Sequence, residues 1–399
     1  MLNNGYSDAA DYWFLDKNIV FLNHGSFGAC PIPILDEQTK FRKKLESEPI
    51  RYFLRDYEED FLRAQTALAG FTGCSPSDLV FVQNATQGVN TVLKSLGLKK
   101  GDEILFTNQI YPACRNTIIS LYHTRGISYR EVKINLPVYS DDEIVNKIIE
   151  SINENTRFAL IDHVSSLPGM VFPVRKITEI LQKRGVEVLI DGAHAPGMIP
   201  LNISDINPDY YTGNCHKWLC TPKGSAFLYV RNNRQEKIHP LVTSRINTEN
   251  GNYKSDFQLE FSWQGTTDPS AVLTIPFAIE FLNSLVPDGI EGLMKRNSKM
   301  VFSAAEMICS EFEIPMPYPE EMSGSIYGIP FFKDDIIFES PVNQRSRLQD
   351  ILFFEYNIEV MVTYWEKAPE RLLRISVQAY NTPEQYEYLL SSLIKILKL

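Results

Sequence analysis

The sequence predicts an α/β protein with a large domain on a mostly parallel sheet covered by helices and a smaller C-terminal α+β domain. Three observations lead there. Short apolar β-rich runs alternate with amphipathic stretches up to residue 230, the alternation loosens after residue 270, and 399 residues exceed what one core ordinarily supports.

The strand candidates, in order, are "DLVFVQ" (78–83), "GDEILFTN" (101–108), "RFALIDHV" (157–164), "VEVLID" (186–191) and "GSAFLYV" (224–230). Each is short and apolar, as a strand buried on both faces should be. Between them, "QGVNTVLKSLGLKK" (87–100) and "VRKITEILQKRG" (174–185) repeat apolar residues every three to four positions and end in lysine, arginine or glycine, which are helix signatures. Beyond them, "AVLTIPFAIEFLNSLV" (271–286) reads as one long helix, and the chain closes on alternating strands and helices. The expected division is an N-terminal segment 1–20 packed on the small domain, a large domain 21–270 and a small domain 271–399. No low-complexity linker separates them, so the domains should pack closely, with the site in the cleft.

Composition narrows the function classes. A formal charge of -10 without a basic cluster argues against a nucleic-acid partner. No run reaches the roughly 18 apolar residues of a membrane span, and "MLNNGYSDAADYWFLDKN" lacks the basic and apolar regions of an export signal, so a cytoplasmic protein is expected. Cys30, Cys74, Cys114, Cys215, Cys220 and Cys309 are irregularly spaced, which reads as reduced thiols; the near pair Cys215 and Cys220 lacks a second pair, so no metal is expected.

Three stretches carry candidate chemistry. In "LIDGAHAPG" a strand delivers Asp191 at its C-terminal end, followed by His194, at the edge where open α/β sheets bind ligands. In isolation the same letters describe a capping aspartate and a core histidine. In "FVQNATQGVNTVL" a strand runs into Asn84, Ala85 and Thr86 and then a helix, which is an anion site or a plain N-cap. In "GNCHKW" a lone lysine, Lys217, sits among apolar and aromatic residues; desolvated, it would be a nucleophile toward an aldehyde, whereas most lysines are solvated charges. Together, an anion cradle, a carboxylate for a pyridinium proton and an imine-forming amine are what pyridoxal phosphate requires of a protein.

With those residues in place, the chain resembles the fold-type I pyridoxal-phosphate enzymes of aminotransferase class V, most of all their isopenicillin N epimerase branch. "FLNHGSFGACP", "NATQGVN", "IDGAHAPG", "GNCHKW" and "RISVQAYNTPEQ" follow in the family's order and approximate spacing, over nearly the whole chain. The resemblance implies that Lys217 forms the Schiff base, Asp191 partners the pyridine nitrogen and His194 neighbours the phenolic oxygen. Ala85 and Thr86 would hold the phosphate with help from Asn214 and His216, and Tyr111 would stack on the ring. Ser165 stands where related cysteine desulfurases place an asparagine facing the cofactor. Asn23, His24 and Arg374 would bind substrate, Arg374 through its carboxylate. "WQGTTDPSA" matches a segment reaching across a homodimer interface, where Gly265 and Thr266 would touch the partner subunit's phosphate.

Removal of the Cα proton of an amino-acid substrate is common to the relatives; the outcome is not. Desulfurases carry a nucleophilic cysteine in the C-terminal domain, and here no cysteine follows Cys309. Epimerisation at Cα with Lys217 as base is the expectation, with a cysteine-conjugate C–S β-lyase or a decarboxylating or deaminating relative as the alternative. A non-catalytic cofactor-binding domain is the reading from another class, disfavoured by the absence of a basic DNA-binding region. Arg51, Arg55 and Tyr364 are further candidates for substrate contact.

Overall fold

The structure, a computed structural model, describes residues 7–244, 255–331, 346–364 and 371–397. Its main sheet comprises β1 (Leu79–Val82), β2 (Glu103–Thr107), β3 (Ser128–Val132), β4 (Thr156–Asp162), β5 (Glu187–Asp191), β6 (Tyr210–Asn214) and β7 (Ala226–Val230). They lie in the order β1-β7-β6-β5-β4-β2-β3. From β6 to β3 all neighbours are parallel, whereas β7 runs antiparallel to both β6 and β1.

The pleat sorts the apolar runs into two cores. Ile104, Phe106, Phe158, Leu160 and Leu189 face one layer, with the helices α1 (Ala85–Ser95) and α2 (Pro112–Arg125). The alternate residues Leu105, Ala159, Ile161, Val188 and Ile190 face the other, with α3 (Val174–Lys183) and the helix Tyr57–Thr72. Both faces are thus covered, which is why these strands read as continuous apolar runs.

A second, antiparallel sheet of order β9-β10-β8 is built from β8 (Ile326–Phe331), β9 (Met361–Tyr364) and β10 (Arg371–Ser376). It packs with α4 (Gly289–Glu311), while α5 (Pro383–Leu397) packs against α4 in turn. The chain start is tied to this region: Ser7 bonds Tyr380 and Ala379, and Val20–Phe21 pairs in parallel with Ile358–Glu359.

Three elements differ from the sequence expectation. The stretch 271–286 is not one helix but two, Ser270–Leu273 and Ile275–Ser284, because Pro276 has no N–H for the preceding turn and is accommodated in the first turn of the second. The strand β3 was missed because "SYREV" is half-exposed at the sheet edge and carries charge there. The strand β6 hides inside the motif that precedes Lys217.

Candidate active site

Parallel strands with right-handed crossovers bring their C-terminal ends to one edge, and there β4 and β5 end in register with Asp162 opposite Asp191. Both carboxyls are buried. Asp191 accepts the Ala193 N–H at 3.0 Å and the Cys114 thiol at 3.4 Å, while one oxygen of Asp162 has no partner. Desolvation raises both, Asp162 well above the carboxylate range because the charge of Asp191 adds to it. The amide, Lys217 and the thiol counteract the rise at Asp191, which is therefore the member of the pair that keeps the negative charge.

Lys217 lies just past β6, half-buried, with Nζ 2.9 Å from His194 Nε2. Burial first, then the positive charge of Arg374, pushes its amine down to about 8. Trp218 donates its indole N–H to the other nitrogen of His194 at 3.2 Å. His24 is bound by its two nitrogens to the Tyr380 hydroxyl at 2.8 Å and to the Lys217 carbonyl at 3.0 Å. It is completely buried, and its Nε2 holds the lysine's backbone. Gly28 makes this approach possible: at φ +70° it has no Cβ, which would stand 2.3 Å from the His216 carbonyl.

The turn from β1 into α1 forms the anion cradle. Asn84 caps the helix by accepting from Gln87 N–H at 2.8 Å, and the Ala85 amide donates to Asn214 Oδ1 at 2.8 Å. Thr86, with its amide and hydroxyl, remains as the open donor of that first turn. His216 donates from Nδ1 to the Ser225 carbonyl at 2.9 Å, and burial pushes this imidazole down to about 4.

Arg374, on β10, reaches the same edge. Its guanidinium donates to the Ser166 carbonyl at 2.5 Å, Ser26 Oγ at 2.7 Å and Asn23 Oδ1 at 3.2 Å, while Nε has no partner. Burial lowers it to about 10, and among the described residues its hydrogen bonds go to neutral oxygens. Tyr111 precedes α2 with its ring 45% exposed. Ser165 is tied into a turn, its hydroxyl accepting the Met170 N–H and donating to the Met170 carbonyl. Gly265 and Thr266 lie on an outer turn; Gly265 lines a cavity of about 400 Å³ with Gln83, Gln87, Lys223 and Trp263. Sequence reasoning did not single out Ser26, Asp162, Ser166 or Trp218 for the site, nor a thiol contact from Cys114.

Whether these residues suit pyridoxal phosphate is tested by the donor set itself. A depressed amine, a buried carboxylate that stays charged, an open helix N-terminus and a buried guanidinium bonded to neutral oxygens match the cofactor's aldehyde, ring nitrogen and phosphate and a substrate's carboxylate. Fold and site thus define a pyridoxal-phosphate enzyme of fold type I.

The match to known proteins is in accord. The family model for aminotransferase class V matches residues 30–333, most of the chain, and the chain belongs to that family. It is 28% identical to a putative L-cysteine desulfhydrase 1 of Oryza sativa subsp. japonica, covering 97% of this chain and 85% of that protein. It is 29% identical to the isopenicillin N epimerase of Streptomyces clavuligerus, covering 97% of each. Among solved structures, a cysteine desulfurase from Thermococcus onnurineus NA1 superposes with a TM-score of 0.77 at 18% identity over 98% of each chain, a likeness of fold.

Proposed function

We propose that this enzyme binds an L-amino acid through Arg374, removes its Cα proton with Lys217, and expels a thiol from Cβ, as a C–S lyase of cysteine or a cysteine S-conjugate. The observation that carries the reading is the single available base. Burial keeps His24, His194 and His216 neutral, and hydrogen bonds occupy both ring nitrogens of the first two. Among the described residues of the site, Lys217, pushed down to about 8, is the amine suited to accept and return a proton. β-Elimination is complete with one base, whereas inversion at Cα with this one base needs Lys217 to return the proton to the opposite face.

When bound, pyridoxal phosphate supplies the electron sink for the Cα carbanion. Asp191 would hold the proton of the ring nitrogen, and Cys114 and Ala193 orient that carboxylate. Thr86, the Ala85–Asn214 pair and His216 would receive the phosphate, Tyr111 would cover the ring, and His194 would donate toward the phenolic oxygen. Arg374 orients the substrate carboxylate, aided by Ser26 and Asn23. Lys217 takes the Cα proton, the C–S bond breaks with its electrons leaving on the thiolate, and the thiolate takes up a proton. The released enamine hydrolyses to pyruvate and ammonia.

Epimerisation is the second reading, favoured by 29% identity to an isopenicillin N epimerase over nearly the full length of both chains. A homodimer belongs to either reading: the exposed turn at Gly265 and Thr266 would reach the partner's phosphate. The deciding experiment is incubation with L-cysteine, S-conjugates and L-amino acids in D₂O. Pyruvate and ammonia in step with thiol support the lyase; Cα deuteration with D-isomer and no pyruvate overturns it in favour of the epimerase.

A further inference from the structure

We propose that Trp218 is a positioning residue: it fixes the proton of His194 on Nε2 and thereby favours Lys217 as a free amine. An indole nitrogen is a donor only. Because its N–H meets His194 Nδ1 at 3.2 Å, Nδ1 is the lone-pair nitrogen, and the neutral imidazole carries its proton on Nε2. That nitrogen lies 2.9 Å from Lys217 Nζ. An ammonium has no lone pair to receive a proton, so the contact is a hydrogen bond only when Lys217 is neutral.

The alternative states are each opposed. A proton on both nitrogens of His194 is resisted by burial and by the charges of Lys217 and Arg374. A proton on Nδ1 alone would leave two hydrogens facing each other across the Trp218 contact. Of the other groups facing Lys217, Arg374 lowers its basicity while Asp191 and Cys114 raise it, so the indole acts beside them by removing the acceptor an ammonium needs. Trp218 has little freedom to yield. It is 1% exposed, its ring lies 4.8 Å from His24, and its backbone is so close to Gly197 that a Cβ there would stand 2.5 Å away.

The bland role for this indole is packing, in a small apolar cluster with Val164, Met198 and Ile326. Packing alone would leave the proton of His194 unchanged in Trp218→Phe. The proposal rests on the proposed role of Lys217 only for its chemical consequence, since the tautomer can be read without any reaction.

The test begins with the cofactor-free wild-type protein carrying ¹⁵N-labelled histidine, with the His194 signals assigned through His194→Gln. The expected spectrum has Nε2 protonated and Nδ1 bare, and Trp218→Phe populates the Nδ1-protonated form. The second readout is the rate at which cofactor-free protein combines with pyridoxal phosphate as pH is varied. The midpoint in Trp218→Phe should lie about one pH unit above wild type, or about tenfold slower combination at a fixed pH below it. A proton on Nδ1 in the wild type, or an unchanged midpoint in a folded Trp218→Phe, overturns the proposal. Should Trp218→Phe not fold, the wild-type spectrum alone decides. Unimpaired combination in Lys217→Ala would instead sink the role of Lys217 and leave the tautomer result standing.

Discussion

Arg374 Nη2 rests 2.7 Å from Ser26 Oγ and 3.2 Å from Asn23 Oδ1, and Asn23 turns its amide nitrogen to Glu359 at 3.1 Å. Glu359 thus sets the amide, the amide oxygen accepts from Ser26 and Arg374, and the guanidinium is aimed by neutral oxygens. A substrate carboxylate, as proposed, would supply the charge that these neutral partners lack.

Replacing Arg374 with lysine keeps the charge but loses the fork. The expected result is a KM raised about 10- to 100-fold, roughly 1.5–3 kcal/mol, with kcat affected far less. Steady-state kinetics checks it, and a proportional fall in kcat at constant KM would show that Arg374 does not bind the substrate carboxylate.

Asp191→Asn removes the charge that burial disfavours and that the Ala193 amide, Lys217 and the Cys114 thiol sustain. Turnover should fall by about 100-fold or more, as for loss of one preorganised electrostatic group, while the protein still takes up pyridoxal phosphate. Unchanged turnover in a folded, cofactor-loaded variant would contradict the role given to this carboxylate.

Gly28→Ala probes how closely the chain start approaches the lysine. The new methyl meets the His216 carbonyl at 2.3 Å and Lys217 Cα at 3.0 Å, at φ +70°. A loss of about 1–3 kcal/mol is expected, together with weaker cofactor retention. Denaturant midpoints and absorbance after dialysis measure both; a wild-type midpoint would show that the two segments do not meet as described.

Burial holds His24 at about 3 and His163 and His216 at about 4, so the unfolded chain binds protons below about pH 6.5 that the native protein refuses. Each such histidine contributes full stability above pH 6.5 and loses about 1.4 kcal/mol per pH unit as pH falls toward 4. Asp162, kept protonated by burial, acts with the opposite sign as pH rises above about 4. The histidine resonances therefore give the clean readout: those of His24, His163 and His216 should stay constant from pH 7 to 5. Titration near 6.5 in the folded protein would refute their burial.

Much of the fold could be read from runs such as "RFALIDHV" and "VEVLID", because a strand covered on both faces has no polar side to confuse the pattern. The charged edge strand at 128–132 and the break before Pro276 lay beyond a reading based on apolar period. At the site, the convergence of Lys217, Asp191 and His194 on one sheet edge could be read from motifs that each follow a strand's end. Ser165 and Ser166 are adjacent serines, and only the chain's turn at Met170 decides which backbone meets Arg374. The burial of His24 and the reach of Ser26 to Arg374 were not legible for the same reason: both depend on contacts to residues far along the chain. Trp218 is core, with a donor whose direction no sequence pattern records. Of the candidate substrate loop 360–370, residues 365–370 lie outside the described residues.

The most direct measurement is borohydride reduction of the purified, pyridoxal-phosphate-loaded protein followed by peptide mass mapping. The account predicts one phosphopyridoxyl group, on Lys217, and loss of both the group and the visible absorbance in Lys217→Ala. A label on another lysine, or a Lys217→Ala protein that remains yellow and labelled, would contradict it.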